Sequence, residues 1–173
     1  MENKDIILIG MAGVGKSTLG LLLADILNYS FTDVDEYIEE RCGKKLQAII
    51  NDEGEQTFLE LEKKVMYEIE LRKRVTAPGG SIVYHDDLMA YLKQKSILVY
   101  LDDSLENIKS KITNESSRGI IGLKIKSLSQ VYDERKRLYA KFADVNIDCR
   151  DKTPENVVEE ILEFYEDIRH HEV

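Results

Sequence analysis

A short apolar segment that leads into a glycine-rich turn constrains the fold more than any other feature of the chain. Residues 5–9, "DIILI", show no polar alternation, which is typical of a strand buried on both faces of a parallel sheet. The turn "GMAGVGKST" follows directly. Apolar residues then recur at helical spacing, at Leu19, Leu22, Leu23, Ile26 and Leu27. The sequence therefore predicts a strand, a tight turn and an amphipathic helix in succession.

The turn matches the phosphate-binding pattern G-x-x-x-x-G-K-[ST] through Gly10, Gly15, Lys16 and Ser17. Glycines let the backbone curl so that successive N–H groups point at phosphate oxygens, and the N-terminus of the following helix adds a positive end. We expect Lys16 to reach the β- and γ-phosphates and the Ser17 hydroxyl to bind Mg²⁺. A chance glycine turn is the alternative, but the flanking strand and helix favour a nucleoside triphosphate site.

The rest of the chain alternates between predicted strands and helices. Further strands are predicted within 29–35, 75–80, 96–102 and 145–148, and helices over 55–74, 104–113, 129–143 and from Pro154 onward. Such alternation predicts an α/β fold with a parallel sheet covered on both faces. The glycine-rich and acidic turns follow the predicted strands, so we expect them to converge at one edge of the sheet.

Composition narrows the possible partners. The chain has 173 residues, which suits one domain over 1–173, and a formal net charge of −9, which disfavours nucleic acid. No apolar run approaches the ~20 residues that span a bilayer, and the first residues lack the pattern of a signal peptide. Two cysteines without a CxxC pair suit a reducing cytoplasm and disfavour a zinc site. We expect a cytoplasmic protein with no nucleic-acid or membrane partner.

Two carboxylates follow the second predicted strand. Asp33 and Asp35 are two residues apart, so they point the same way from an extended chain. Beside a phosphate site, one could hold Mg²⁺ through water while the other orients, or accepts a proton from, an acceptor hydroxyl. The alternative is a solvated helix N-terminus, where acidic residues are common.

Six segments together resemble the shikimate kinase family, over nearly the whole chain: "GMAGVGKSTLG", "FTDVDEYIEERCG", "IINDEGEQTFLELE", "PGGS", "SSRGII" and "DERKRLYAKFAD". The sequence departs from the family pattern at four positions. An arginine is replaced by Leu59, the third glycine of a G-G-G turn by Ser81, and two prolines by Gly119 and Arg137.

The resemblance implies a three-layer α/β/α sandwich with a five-stranded parallel sheet, of the P-loop kinase type. It also implies a mobile lid at about 112–126 and an acceptor-binding region at about 33–62. The implied reaction is Mg²⁺- and ATP-dependent phosphoryl transfer to a hydroxyl of a small carboxylic acid, with shikimate as the default acceptor. We expect such an enzyme to act as a monomer.

The resemblance also assigns roles to individual residues. ATP would contact the turn through Gly13, Val14, Gly15, Lys16, Ser17 and Thr18, and the adenine region through Lys111, Lys152 and Pro154. Asp33 would support the metal, and Asp35 would meet the acceptor hydroxyl. The substrate would bind Gly79, Gly80 and Arg135, and Arg118 would close on the transferring phosphate. Lys16, Asp35 and Arg118 would be the catalytic residues.

Two of these assignments have plain alternatives. Arginine presents a planar fork to carboxylates and phosphates, which suits Arg118 and Arg135. Arg135 also lies in "DERKR", where such residues usually sit on a solvated helix face. Gly79 and Gly80 are also explained by a simple turn after a strand.

Because of Leu59, the sequence does not determine which molecule is the acceptor. It projects roughly 90° from the main apolar stripe of its helix and aligns with Met66. The two residues either widen the core face or line the acceptor pocket where an arginine would have bound a carboxylate. The first function we consider is a shikimate kinase. The alternatives are a kinase for a different hydroxylated metabolite and a non-catalytic nucleotide sensor.

Overall fold

The computed structural model describes residues 4–112 and 119–171 and contains a five-stranded sheet. Its strands are β1 (Asp5–Ile9), β2 (Ser30–Asp33), β3 (Arg74–Ala77), β4 (Ser96–Asp102) and β5 (Val145–Asp148). They are ordered β2-β3-β1-β4-β5, and every neighbouring pair is parallel. The predicted parallel sheet is confirmed, and the strand that precedes the phosphate-binding turn lies at its centre.

Within residues 4–112 and 119–171, eight helices surround the sheet. They are α1 (Lys16–Leu27), α2 (Val34–Cys42), α3 (Leu46–Glu53), α4 (Glu55–Glu68), α5 (Asp86–Lys95), α6 (Leu105–Lys111), α7 (Leu128–Phe142) and α8 (Pro154–His171), with a 3-10 turn at Ile82–Tyr84. Helix α1 packs on β3 and α8, whereas α5 packs on β4 and α7. All five residues of β1 are buried although their side chains alternate between faces, so helices cover both sides of the sheet. This is the predicted three-layer sandwich.

The functional turns meet at one edge because all five strands run in the same direction. The phosphate-binding turn begins at Gly10 after β1, Asp33 ends β2, and Pro78 opens the turn after β3. Asp33 pairs with Ala77 in the register of β2 and β3, which places these two ends side by side. The expected convergence is confirmed.

Two predicted helix starts are also confirmed. The Ser104 hydroxyl accepts a hydrogen bond from the Asn107 backbone N–H at 3.1 Å, as an N-cap of α6 should. Helix α8 begins at Pro154, and the Thr153 hydroxyl accepts from the Asn156 N–H at 3.4 Å.

The helix predicted over 55–74 is wrong beyond residue 68, because α4 ends at Glu68. Strand β3 has to begin at Arg74, which pairs with Ser30, so the preceding residues form a loop in which Lys73 has a φ of 50°. Ile69 still packs against the hydrophobic core from this loop. Its burial continues the apolar spacing past the end of the helix, which is why the pattern misled.

Candidate active site

The phosphate-binding turn curls tightly between β1 and α1. Gly13 and Gly15 have φ values of 82° and 104°, a region that side chains rarely adopt. The Lys16 ammonium group lies back over the turn and donates to the carbonyl oxygens of Gly10 at 2.9 Å and Met11 at 3.0 Å. The lysine therefore already lies at the place where phosphate oxygens would arrive.

Lys16 is a buried cation with acidic neighbours. Burial lowers its pKa to about 8, while the charges of Asp35 and Asp33 act in the opposite direction. A phosphate group entering the turn would add negative charge beside Lys16 and favour its protonated form. The electrostatics of the turn thus suit an anionic ligand.

Oxygen ligands suited to Mg²⁺ lie next to the lysine. The Ser17 hydroxyl donates to Oδ2 of Asp33. The other oxygen of Asp33 caps α2 by accepting from the N–H groups of Asp35 at 3.0 Å and Glu36 at 3.2 Å. Magnesium prefers a few hard oxygen ligands of this kind, so the hydroxyl and carboxylate pair fits the metal.

Asp35 is the second carboxylate at this edge. Burial, reinforced by the charge of Asp33, raises its pKa to about 6. Its Oδ1 atom is buried and has no hydrogen-bond partner among the described residues. An acceptor hydroxyl could donate to this oxygen, because an unpaired buried carboxylate oxygen gains from a donor.

The turn after β3 is closely packed. A Cβ atom on Gly80 would lie 2.8 Å from Nη1 of Arg135 and 3.0 Å from the Tyr139 hydroxyl. That hydroxyl donates to the Gly80 carbonyl oxygen at 2.7 Å, which anchors it. Close packing therefore requires glycine at this position of the turn after β3.

Arg135 is buried, with 1% of its surface exposed, so the alternative of a solvated helix face is wrong. Its Nη2 donates to the Ile121 carbonyl oxygen at 2.9 Å and its Nε to the Tyr84 hydroxyl at 3.3 Å. The guanidinium carbon also lies 5.3 Å from the centre of the Tyr84 ring. These contacts fix a cation at the acceptor end of the site.

One cavity of about 670 Å³ joins these groups. Ten of the predicted site residues line it: Gly13, Gly15, Lys16, Ser17, Thr18, Asp33, Asp35, Gly79, Gly80 and Arg135. The cavity therefore connects the phosphate-binding turn to the two acidic residues and to the buried arginine.

The predicted adenine contacts do not line this cavity. Lys111 pairs with Asp103 at 2.8 Å, and Lys152 pairs with Glu160 at 2.6 Å. Burial raises the pKa of the Cys149 thiol, and the charges of both lysines act against this rise, so both lie near that residue. Lys111 also borders Gly13, whose added Cβ would lie 3.4 Å from the Lys111 Cβ.

Three other predicted positions, Val14, Pro154 and Leu59, do not line the cavity. Val14 is buried behind the turn, and Pro154 begins α8. Arg118 lies outside the described residues. Leu59 is partly buried against the hydrophobic core, and its neighbour Phe58 lines the cavity instead. The position of Leu59 favours the interpretation of a wide core face.

Sequence reasoning missed several residues that line the acceptor end. They come from α2, α3, α4 and the segment after residue 118, and are Glu39, Lys45, Leu46, Gln47, Phe58, Ile120 and Ile121. Glu39 organises part of this group by accepting from the Lys45 ammonium at 2.7 Å and the Leu46 N–H at 3.0 Å. The sequence does indicate the helix α3, which begins shortly after Gly43. Its apolar spacing, however, indicates only core packing and gives no sign of a cavity.

Comparison with known proteins gives consistent matches. The family described as shikimate kinase matches residues 12–166. The shikimate kinase of Sulfurihydrogenibium sp. is 37% identical over 92% of this chain and 96% of its own length. That of Microcystis aeruginosa is 41% identical over 94% of this chain and 86% of its own length.

A solved structure also matches over nearly the whole chain. The shikimate kinase of Acinetobacter baumannii, in complex with shikimate, superimposes with a TM-score of 0.84 at 28% identity. The match covers 93% of this chain and 92% of that one.

Proposed function

Because the chain belongs to the shikimate kinase family, we propose that it transfers the γ-phosphoryl group of ATP to a hydroxyl of shikimate. The observation that carries the proposal is the single cavity that holds Lys16, Asp35 and Arg135. Its two ends provide for a polyphosphate and for a carboxylic acid. The relatives do not favour a different acceptor or a purely nucleotide-binding role.

The turn after β1 would hold the nucleotide. Backbone N–H groups and the Lys16 ammonium would bind the phosphates, since Gly13, Gly15 and Lys16 line the cavity. Ser17 and Asp33 would hold Mg²⁺, which neutralises charge on the β- and γ-phosphate oxygens when bound.

The acceptor would lie between the two acidic residues, Asp33 and Asp35, and the buried arginine. The Asp35 Oδ1 would accept the proton of the attacking hydroxyl, and Arg135 would pair with the substrate carboxylate. With a pKa of about 6, Asp35 is mostly ionised at neutral pH and is a stronger base than an exposed aspartate. Gly79 and Gly80 would present backbone N–H groups to the substrate.

Other parts of the proposal rest on the sequence. Arg118 would contact the transferring phosphate from the lid, and Lys111, Lys152 and Pro154 would border the adenine. We also propose a monomer that acts in the cytoplasm. Within residues 4–112 and 119–171, no helix combines the length and apolar character needed to cross a membrane.

The test is ADP release by the purified protein with Mg²⁺ and ATP, measured with shikimate and with a panel of other hydroxy acids and sugars. We expect shikimate to stimulate release most, and Lys16→Ala to abolish the stimulation. Strong stimulation by another compound, with none by shikimate, would refute the proposed acceptor.

A further inference from the structure

Glu62 is a fully buried carboxyl group beneath the acceptor end of the cavity. It lies on α4, and none of its surface is exposed. Its Oε2 accepts a hydrogen bond from the Ser81 hydroxyl at 2.8 Å. Within the described part of the chain, its Oε1 has no hydrogen-bond partner, and no salt bridge involves Glu62. The residue one turn earlier on the same helix is the apolar Leu59.

The unpaired oxygen of Glu62 lies beside the turn that borders the acceptor. A Cβ atom on Gly79 would lie 2.5 Å from Oε1 of Glu62 and 2.9 Å from Oδ1 of Asp35. Both unpaired oxygens therefore lie close to Gly79, on the side where a Cβ atom would project. Ser81, at the end of the same turn, makes the hydrogen bond that ties it to α4.

Charged groups on three other elements act on Glu62. Asp35 from α2 disfavours its ionised form, while Arg135 from α7 and Lys16 from α1 favour it. Burial is the largest influence, and together with the charge of Asp35 it raises the pKa of Glu62 to about 8. The Ser81 hydrogen bond acts in the opposite direction but is weaker.

We propose that Glu62 is a positioning residue that has to be protonated for an anionic acceptor to bind. The Ser81 hydroxyl attaches the turn from Pro78 to Ser81 to the Glu62 side chain on α4, and the neutral carboxyl group adds no charge beneath the acceptor. The neutral group also leaves Asp35 as the single negative charge beside Gly79. This inference rests on the proposed function, because it concerns the binding of a carboxylic-acid substrate.

Ionisation of Glu62 should affect the binding of an anionic acceptor in one direction only. It adds a buried negative charge close to Asp35 and offsets the positive charge of Arg135, which would pair with the substrate carboxylate. The KM for shikimate should therefore increase once the pH exceeds the pKa of Glu62. The protonated fraction falls about tenfold per pH unit there, so the KM should approach that slope.

The kinetic test is the KM for shikimate between about pH 6 and pH 10, at saturating Mg²⁺ and ATP. Saturating ATP is needed because Lys16, which would bind the phosphates, also has a pKa of about 8 and could otherwise contribute its own pH dependence. In Glu62→Gln, the amide oxygen can accept from Ser81, and the side chain stays neutral at every pH, as the protonated acid is. We expect a KM within about twofold of the unmodified protein at low pH and no alkaline rise. Equal alkaline rises in both proteins would overturn the proposal.

Ser81→Ala provides a second test at a different residue. It removes the hydrogen bond that favours ionised Glu62, so the rise in KM should move to higher pH. An unchanged or lower midpoint would contradict the proposed role. Because kcat at saturating shikimate reports the bound complex, we expect the pH effect on KM to exceed that on kcat.

An infrared measurement tests the protonation state without substrate. At pH 7 the unmodified protein should show a carboxylic-acid carbonyl band that is absent from Glu62→Gln. Absence of that band from the unmodified protein would overturn the proposal even if the variant folds poorly. Lack of turnover with shikimate at every pH would refute the proposed function alone, since the infrared band does not depend on the acceptor.

Discussion

Replacement of Glu62 by glutamine should remove a loss of stability that the folded protein suffers as pH rises. The pKa of Glu62 is about 8 in the folded protein, against 4.5 for an ordinary glutamate. Between these values the folded state binds more protons than the unfolded state, so the free energy of unfolding falls with increasing pH. Glutamine cannot ionise and is free of this effect.

The magnitude follows from the size of the shift. Each pH unit between the two pKa values changes the unfolding free energy by about 1.4 kcal/mol. Across the whole window the difference between the two proteins should grow by up to about 5 kcal/mol in favour of Glu62→Gln. Glu62 is fully buried, so solvent does not screen the effect. Asp35 titrates in the same range but is present in both proteins and largely cancels.

The assay is urea unfolding of both proteins between about pH 5 and pH 8. The exposed Glu60 on the same helix provides the control, because Glu60→Gln should change stability by less than about 0.5 kcal/mol at every pH. A difference between Glu62→Gln and the unmodified protein that stays constant with pH would mean that Glu62 is ionised in the folded state. The reasoning about its burial would then be wrong.

Three further predictions concern the cavity. Lys16→Ala should abolish phosphoryl transfer without changing the unfolding midpoint by more than a few degrees, because its ammonium donates to carbonyl oxygens of the turn and not to the core; full activity would exclude the phosphate role. Gly79→Ala should raise the KM for shikimate more than tenfold, since its Cβ would meet buried Glu62. Gly119→Ala should change it little, since its Cβ would lie 3.9 Å from the Leu46 Cδ1, an ordinary contact distance; equal effects would refute the packing argument. Leu59→Arg should place a cation beside Glu62 that cancels the charge of its ionised form, and should lower the KM for shikimate by up to about tenfold; steady-state kinetics showing no gain would mean that residue 59 does not affect carboxylate binding.

The order of the strands and helices was predictable because each of them has a local sequence pattern. The run Ile6–Ile9 is too apolar and too short for a surface helix, and Pro154 after Thr153 is a reliable helix start. The end of α4 was not predictable from spacing alone. It depends on where Arg74 pairs with Ser30, which is a contact between distant parts of the chain.

The phosphate end of the site was predictable for a similar reason. Its residues are consecutive, and the pattern that Gly15, Lys16 and Ser17 complete indicates phosphate binding. The acceptor end is assembled from several distant segments, so local patterns gave no sign that Gln47 or Ile121 would line the cavity. The burial of Arg135 likewise follows from tertiary packing against Tyr84 and cannot be read from the charged stretch around it.

Identification of the product tests the central claim most directly. Purified protein would be incubated with Mg²⁺, ATP and shikimate, and ADP and the acceptor would be quantified together by mass spectrometry. The account predicts one molecule of singly phosphorylated shikimate for each ADP formed, and neither product with Lys16→Ala. ADP formation without phosphorylated shikimate, or no ADP above the level without acceptor, would contradict it.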